Sequence, residues 1–252
     1  MLTSNIETQN TIIDIDIKLS ECQSIRVNVN NETGYLTNIR KINKTTGLSE
    51  PLKTLGIIGE FNHPIILPDT IETLDIGGIF NQPIIIPDSV TYLRISGIFN
   101  QPIILPAGLI YFFTTSNFNQ SIILPHGLEG IGLRGNFNQP IFLPNTIKTL
   151  NIDKEFNLSI ILPENIIFFY INGKFNQSII LPLTIEYLKI KGDFNQPLIL
   201  PDSLISLEIS GEYNQSLILP TNLEFLKISG KFRQPLILTN NLKKIYLDGG
   251  VI

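Results

Sequence analysis

At 252 residues, 43% hydrophobic and 16% charged, the chain has enough apolar side chains for a continuous core and too few charges for a disordered polymer. A net charge of -4, with basic residues spread along the chain, removes the electrostatic footprint of a nucleic-acid binder, so no nucleic-acid partner is expected. The single cysteine, Cys22, has no intrachain partner, the first residues lack the basic start and apolar run of a secretory signal, and no apolar stretch reaches the ~20 residues of a membrane span, so a soluble cytoplasmic protein without a membrane partner is predicted.

Residues 1–41 carry no period. Ile13-Asp14-Ile15-Asp16-Ile17 and Ile25-Arg26-Val27-Asn28-Val29 alternate apolar with polar side chains, and Leu36 to Ile39 add a third run. The alternation suits strands with one wet face, which predicts antiparallel pairing into an N-terminal β cap. From residue 42 the chain changes character. A degenerate unit, Ile42 to Glu60, has Leu52, Leu55 and Ile57 in phase with the later units, which place an aromatic every 19 residues at Phe61, Phe80, Phe99, Phe118, Phe137, Phe156, Phe175, Phe194, Tyr213 and Phe232. Such a period marks a solenoid, in which each unit buries its apolar face only against its neighbours. The predicted organisation is a β cap, 1–41, and a solenoid, 42–252, of about ten repeats plus one degenerate leading repeat.

Counting each unit from its aromatic as place one, the pattern is clear from Phe194 to Glu212 (FNQPLILPDSLISLEISGE). One strand signal surrounds Leu207 and Ile209, where every second residue points to one face; another is Leu198-Ile199-Leu200, a short apolar run bounded by prolines. Glycine at place eighteen suits a corner needing unusual backbone angles, and proline at place eight ends the second run because it has no N–H for a ladder. Asn at place two predicts a column of stacked amides that satisfies turn backbone groups. No segment has room for an amphipathic helix. Since strands pack about 4.8 Å apart and helices about 10 Å, extended chain on both sides predicts little curvature. The fold class expected is all-β: a right-handed, nearly straight, leucine-rich-repeat-like β-solenoid of 19-residue coils with an N-terminal β cap.

The run L-P-x-S-L-x-x-L-x-I-x-G-x-F-N-Q-P-I, as at Leu200 to Leu217 with Tyr213 in place of Phe, resembles the FNIP repeat, a leucine-rich-repeat relative common in amoebae and in the large DNA viruses that infect them. The resemblance covers about Ile42 to Gly250. It implies a non-enzymatic protein-interaction module, sometimes joined to an F-box, located in the host cytoplasm if the chain is viral. Two departures stand out. The unit is shorter than the family's between places five and seven, and the N-terminal segment reads as strands and not as a helical F-box.

Places thirteen and fifteen turn variable side chains to solvent, on the face that ligand-binding solenoids commonly use. Tyr111/Phe113 and Phe168/Tyr170 flank two rungs of small residues, Gly130/Gly132 and Thr149/Asn151. At ~4.8 Å per rung such aromatic walls stand roughly 14 Å apart, a notch that admits a peptide strand or loop. Tyr92 and Tyr187 extend the walls, and Arg94 and Lys189 lie toward the rim. These eight residues are the candidate partner-binding site. The alternative is aromatic cross-strand packing that only stabilises the sheet. Lys189, Glu208 and Lys227 succeed one another at place fifteen, an alternation of sign that a solvated sheet needs anyway.

No catalytic residue is assigned, since no carboxylate pair, nucleophile elbow or phosphate loop appears. His63 and His126 sit about three rungs apart, so neither a metal nor another cofactor is expected. Place six, Ile in nine units and Phe142 in the other, either stands outside as an apolar stripe along the back or is half covered by its neighbours. The leading expectation is a non-catalytic protein–protein interaction scaffold using the variable β face. The alternatives are a structural or assembly protein that self-associates through the Ile column and, on weaker grounds, a solenoid carbohydrate-active enzyme.

Overall fold

The computed structural model describes residues 5–6, 13–18, 24–28, 36–42, 49–50, 52–59, 61–115 and 117–247. The chain divides into two compact units, 1–127 and 128–252. No helix occurs among the described residues.

The first unit contains β1 (Asn5–Ile6), β2 (Ile13–Lys18), β3 (Ser24–Asn28), β4 (Leu36–Ile42), β5 (Ser49–Glu50), β6 (Thr54–Ile58), β7 (Thr73–Ile76), β8 (Tyr92–Ile95) and β9 (Tyr111–Thr114). Its main sheet runs β1-β3-β6-β7-β8-β9, all parallel, and β2-β4-β5 form a separate small sheet. The expected antiparallel pairing of the N-terminal strands is corrected here. β2 pairs parallel with β4, and β3 joins the main sheet parallel to β6 with Ser24 opposite Thr54; only β4 and β5 run antiparallel. Alternation reports a wet face and carries no strand direction; in a coil that closes on itself, a parallel sheet also keeps one face in water.

The second unit contains β10 (Gly130–Leu133), β11 (Thr149–Ile152), β12 (Phe168–Ile171), β13 (Tyr187–Ile190), β14 (Ser206–Ile209), β15 (Phe225–Ile228) and β16 (Lys244–Leu247). Consecutive strands pair in parallel, each residue opposite the one 19 positions on, as Gly130 faces Thr149 and Phe225 faces Lys244. The chain is thus a β-solenoid of 19-residue coils in both units.

Each coil sends the same six side chains inward, from places one, five, seven, eleven, fourteen and sixteen; Phe80, Ile84, Ile86, Val90, Leu93 and Ile95 are one such set, all buried. The aromatics at place one stack along the core with centroids 5.9–6.2 Å apart in the first unit and 6.1–6.3 Å in the second. Parallel offset rings at this spacing add specific geometry to their large apolar area. Places five to seven alternate in burial as a strand does, yet they make no ladder; among the described residues an isolated bridge at Ile65 is the most they form. The second predicted strand is therefore an extended segment. Three residues ahead of a proline that lacks an N–H are too few to propagate pairing.

The place-eighteen corner explains its glycines. Gly78, Gly97, Gly173, Gly192, Gly211 and Gly230 all have positive φ, and a Cβ on any of them would lie within 2.6 Å of backbone in the preceding coil. Coils stack backbone on backbone there.

Candidate functional site

The amide column at place two forms as its spacing predicts. In the first unit the backbone N–H of Asn81, Asn100 and Asn119 donates to Oδ1 of Asn62, Asn81 and Asn100, each at 2.9 Å. In the second unit Asn157, Asn176, Asn195, Asn214 and Arg233 donate in the same way to the preceding Asn, at 2.7–3.0 Å. Gln at place three adds a second donor to the same oxygen, as Gln177 Nε2 does to Asn157 Oδ1 at 3.1 Å. A further ladder escaped the sequence reading. Hydroxyls at place ten donate to the place-eleven carbonyl of the preceding coil, Ser89 to Ile71 at 2.6 Å and Ser203 to Ile185 at 2.7 Å. The recurrent Ser/Thr at that place was the available signal.

These ladders hold the strands at places thirteen to sixteen, and strand alternation then decides what faces out. Leu93, Phe112, Phe169 and Leu188 turn inward at place fourteen, leaving places thirteen and fifteen on the surface. In the first unit the structure brings together three of the candidate residues. Tyr92 lies 5.6 Å from Phe113 and 6.3 Å from Tyr111, centroid to centroid, both tilted. Arg94 is opposite Phe113 in register and reaches Asp75 at 3.7 Å.

In the second unit Phe168 and Tyr187 pack tilted at 6.4 Å, and Lys189 Nζ sits 6.0 Å from the centre of the Tyr170 ring while pairing with Glu208 at 2.8 Å. Burial, reinforced by Asp153, pushes the Tyr170 hydroxyl above its usual pKa, so it is a neutral donor at physiological pH. Tyr111 and Tyr187 are each 40% exposed, and the other four aromatics are half-buried by their neighbours. The eight candidate residues thus form two clusters, one in each unit. All four residues of β10, including Gly130 and Gly132, are buried.

Opposite charges also align along the coils. Lys148 meets Glu129 at 3.1 Å, Lys174 meets Glu155 at 2.7 Å and Lys231 meets Glu212 at 2.8 Å. These pairs are solvent-exposed and screened, so they contribute little to stability. Among the described residues no group of three or more His, Cys, Asp or Glu is placed to hold a metal ion, and no helix is long and apolar enough to cross a membrane.

Place six settles between its two readings. Ile85, Ile104 and Ile123 in the first unit are 88–91% exposed, and in the second unit the column from Phe142 to Ile237 is 86–93% exposed. Half coverage is overturned: with places five and seven turned inward, buried or half-buried, alternation throws this side chain fully outside.

Parallel β coils that repeat one inward set of six side chains and one Asn ladder define a leucine-rich-repeat-like solenoid. Residues 61–97, in the first unit, and 194–231, in the second, match the FNIP Repeat family model. Among solved structures it is similar to CroV588, described as a novel circular LRR protein, at 29% identity and a TM-score of 0.68 over 91% of this chain. The chain spans 41% of that protein's length. YopM from Yersinia enterocolitica WA-314 aligns with 88% of this chain and 64% of its own, at 16% identity and a TM-score of 0.46. A search of curated proteins gave no match. Repeat folds of this kind commonly mediate protein–protein interaction.

Proposed function

We propose that the chain is a non-catalytic, cytoplasmic protein-interaction scaffold that engages a protein partner through the outward face of places thirteen and fifteen. The observation that carries this reading is the pair of surface aromatic clusters, Tyr92/Tyr111/Phe113 and Phe168/Tyr170/Tyr187, each with a cation, Arg94 or Lys189, beside it. Half-exposed Tyr and Phe offer large, rigid apolar area at low entropic cost, which is what dominates binding at protein interfaces. Arg94 and Lys189, each paired with a neighbouring carboxylate, tune encounter rate more than affinity.

The test is recovery of a partner from the native cell with the wild-type chain, then affinity measurement with Phe113→Ala and Tyr170→Ala. Each substitution is expected to weaken binding by about 2 kcal/mol with little loss of stability, since both side chains lie outside the core. Unchanged affinity for a verified partner reduces the clusters to packing that stabilises the sheet. A second reading, assembly through the place-six column, is favoured by the almost complete exposure of that column.

A further inference from the structure

We propose that the place-six column is the contact between two copies of this chain, laid face to face with their columns running in the same direction; this rests on the second reading above. Within residues 128–252, Phe142, Ile161, Ile180, Ile199, Ile218 and Ile237 stand out in a row, one per coil, each 86–93% exposed. Six such side chains, at roughly 130 Å² each, present on the order of 800 Å² of apolar surface, the share that one partner brings to a standard protein interface. The surroundings are equally apolar. Across all ten coils, places four to eight hold no Asp, Glu, Lys or Arg, although the chain has 18 basic and 22 acidic residues to distribute. A solvated surface carries charges, and charge depletion is the compositional mark of an interface core.

The shape of the column selects its occupant. Between successive coils the surface dips into hollows beside the column. One of about 440 Å³ lies against Phe142, Ile161 and Glu164, and one of about 500 Å³ against Ile161, Ile180 and Leu183. The exposed side chains thus repeat once per coil, with hollows beside the first two steps of the row. Only a partner with the same rise per unit keeps register over six coils, and a second copy has that rise by construction. On a two-fold axis along the column each of its place-six side chains meets its counterpart at the same height, an isologous contact that closes at two chains.

Charge at the rims sets the direction. The place-nine edge carries Glu164 and Asp202, and the place-three edge carries the amides Gln177, Gln196 and Gln215. A two-fold axis across the column brings the acidic edge against itself. An axis along the column sets it against the amides and avoids the like-charge opposition.

The experiment uses the full chain. Its mass in solution is measured against concentration by sedimentation, for the wild type and for Ile161→Ser/Ile180→Ser/Ile199→Ser, with a β-branched control, Ile180→Thr, and circular dichroism on each. The wild type is expected to be a two-chain species and the triple variant a monomer with an unchanged spectrum, while Ile180→Thr weakens association less. A monomeric wild type at every concentration, or a triple variant that folds and still dimerises, overturns the assembly reading and the proposal together. If the triple variant loses its spectrum, the single variant Ile180→Lys replaces it under the same two outcomes. Direction is read separately from spin labels placed one at a time at Asn145, Leu183 and Thr221 in a Cys22→Ser background. Equal distances between identical labels at all three positions are expected. Distances that change along the column overturn the parallel arrangement and leave the assembly reading intact.

Discussion

Lys154 occupies the place-eighteen corner at which Gly135, Gly173, Gly192, Gly211 and Gly230 stand in the other described coils of the second unit, and it adopts the same left-handed backbone, with φ 62°. Among the described residues it is the one non-glycine with positive φ. The strain is visible in the stacking. The corner hydrogen bond from Glu155 N to Gly135 O is 3.3 Å, against 2.8–2.9 Å for the equivalent bonds from Lys174, Asp193, Glu212 and Lys231. A left-handed conformation costs a residue with a Cβ about 1–2 kcal/mol, and the greater freedom of glycine in the unfolded chain takes back roughly 0.4–1 kcal/mol. Lys154→Gly is therefore expected to stabilise by about 0.5–1 kcal/mol, read as a higher urea midpoint at unchanged slope. The reciprocal change, Gly173→Ala, places a Cβ 2.5 Å from N, Cα and O of Lys154 and should cost more than about 2 kcal/mol. A neutral or destabilising Lys154→Gly refutes the strain reading. It would mean that the 2.7 Å bond from Lys154 N to Asp153 Oδ1 already makes this corner comfortable.

Asn195→Ala removes the acceptor of Asn214 N, at 2.8 Å, and of Gln215 Nε2, at 3.3 Å; it is expected to lower the urea stability by about 1–3 kcal/mol, because a half-buried backbone N–H loses its partner. Tyr213 stands in the fully buried aromatic stack with a hydroxyl that has no hydrogen-bond partner, so Tyr213→Phe should be neutral or stabilising by up to about 1 kcal/mol at pH 7. Burial also pushes the Tyr213 pKa from 10.0 up to about 12, so the folded chain holds this proton where the unfolded chain has released it. Stability contributed by the neutral hydroxyl is complete below pH 10 and falls as the pH rises toward 12. The difference between wild type and Tyr213→Phe in urea titrations should therefore widen above pH 10 in favour of the variant; a constant difference would show that the hydroxyl reaches water.

What the sequence made legible is what recurs. The inward set, the Asn column and the corner glycines repeat at one spacing, so each position was read about ten times over, and the structure matches them coil by coil. Pairing direction at the N-terminal strands was not legible, because β2 and β3 alternate identically whether parallel or antiparallel. The run at places five to seven was misread for a related reason: burial alternation persists in extended chain without a ladder. At the candidate site, the sequence named the residues but not their grouping. Tyr92 proved to be in contact with both Tyr111 and Phe113, a consequence of ring tilt across neighbouring strands that column order alone does not contain. Exposure of place six depended on whether its two flanks both turned inward, which periodicity permits but does not require.

Every bond in the Asn ladder reaches one coil back, and this makes coil number a variable the molecule can change freely. Excision of residues 176–194 would join Phe175 to Asn195 and hand the Asn195 N–H to Asn157 Oδ1 in place of Asn176 Oδ1, an identical acceptor. The ring of Phe194 would be lost, but Phe175 would take over its neighbour Tyr213 at the next step of the stack. Duplication works in the same way. A gene that slips by one whole unit therefore yields a longer or shorter protein with the Asn ladder and the aromatic stack unbroken, and selection can act on the variable outer face while the core that supports it is inherited ready-made.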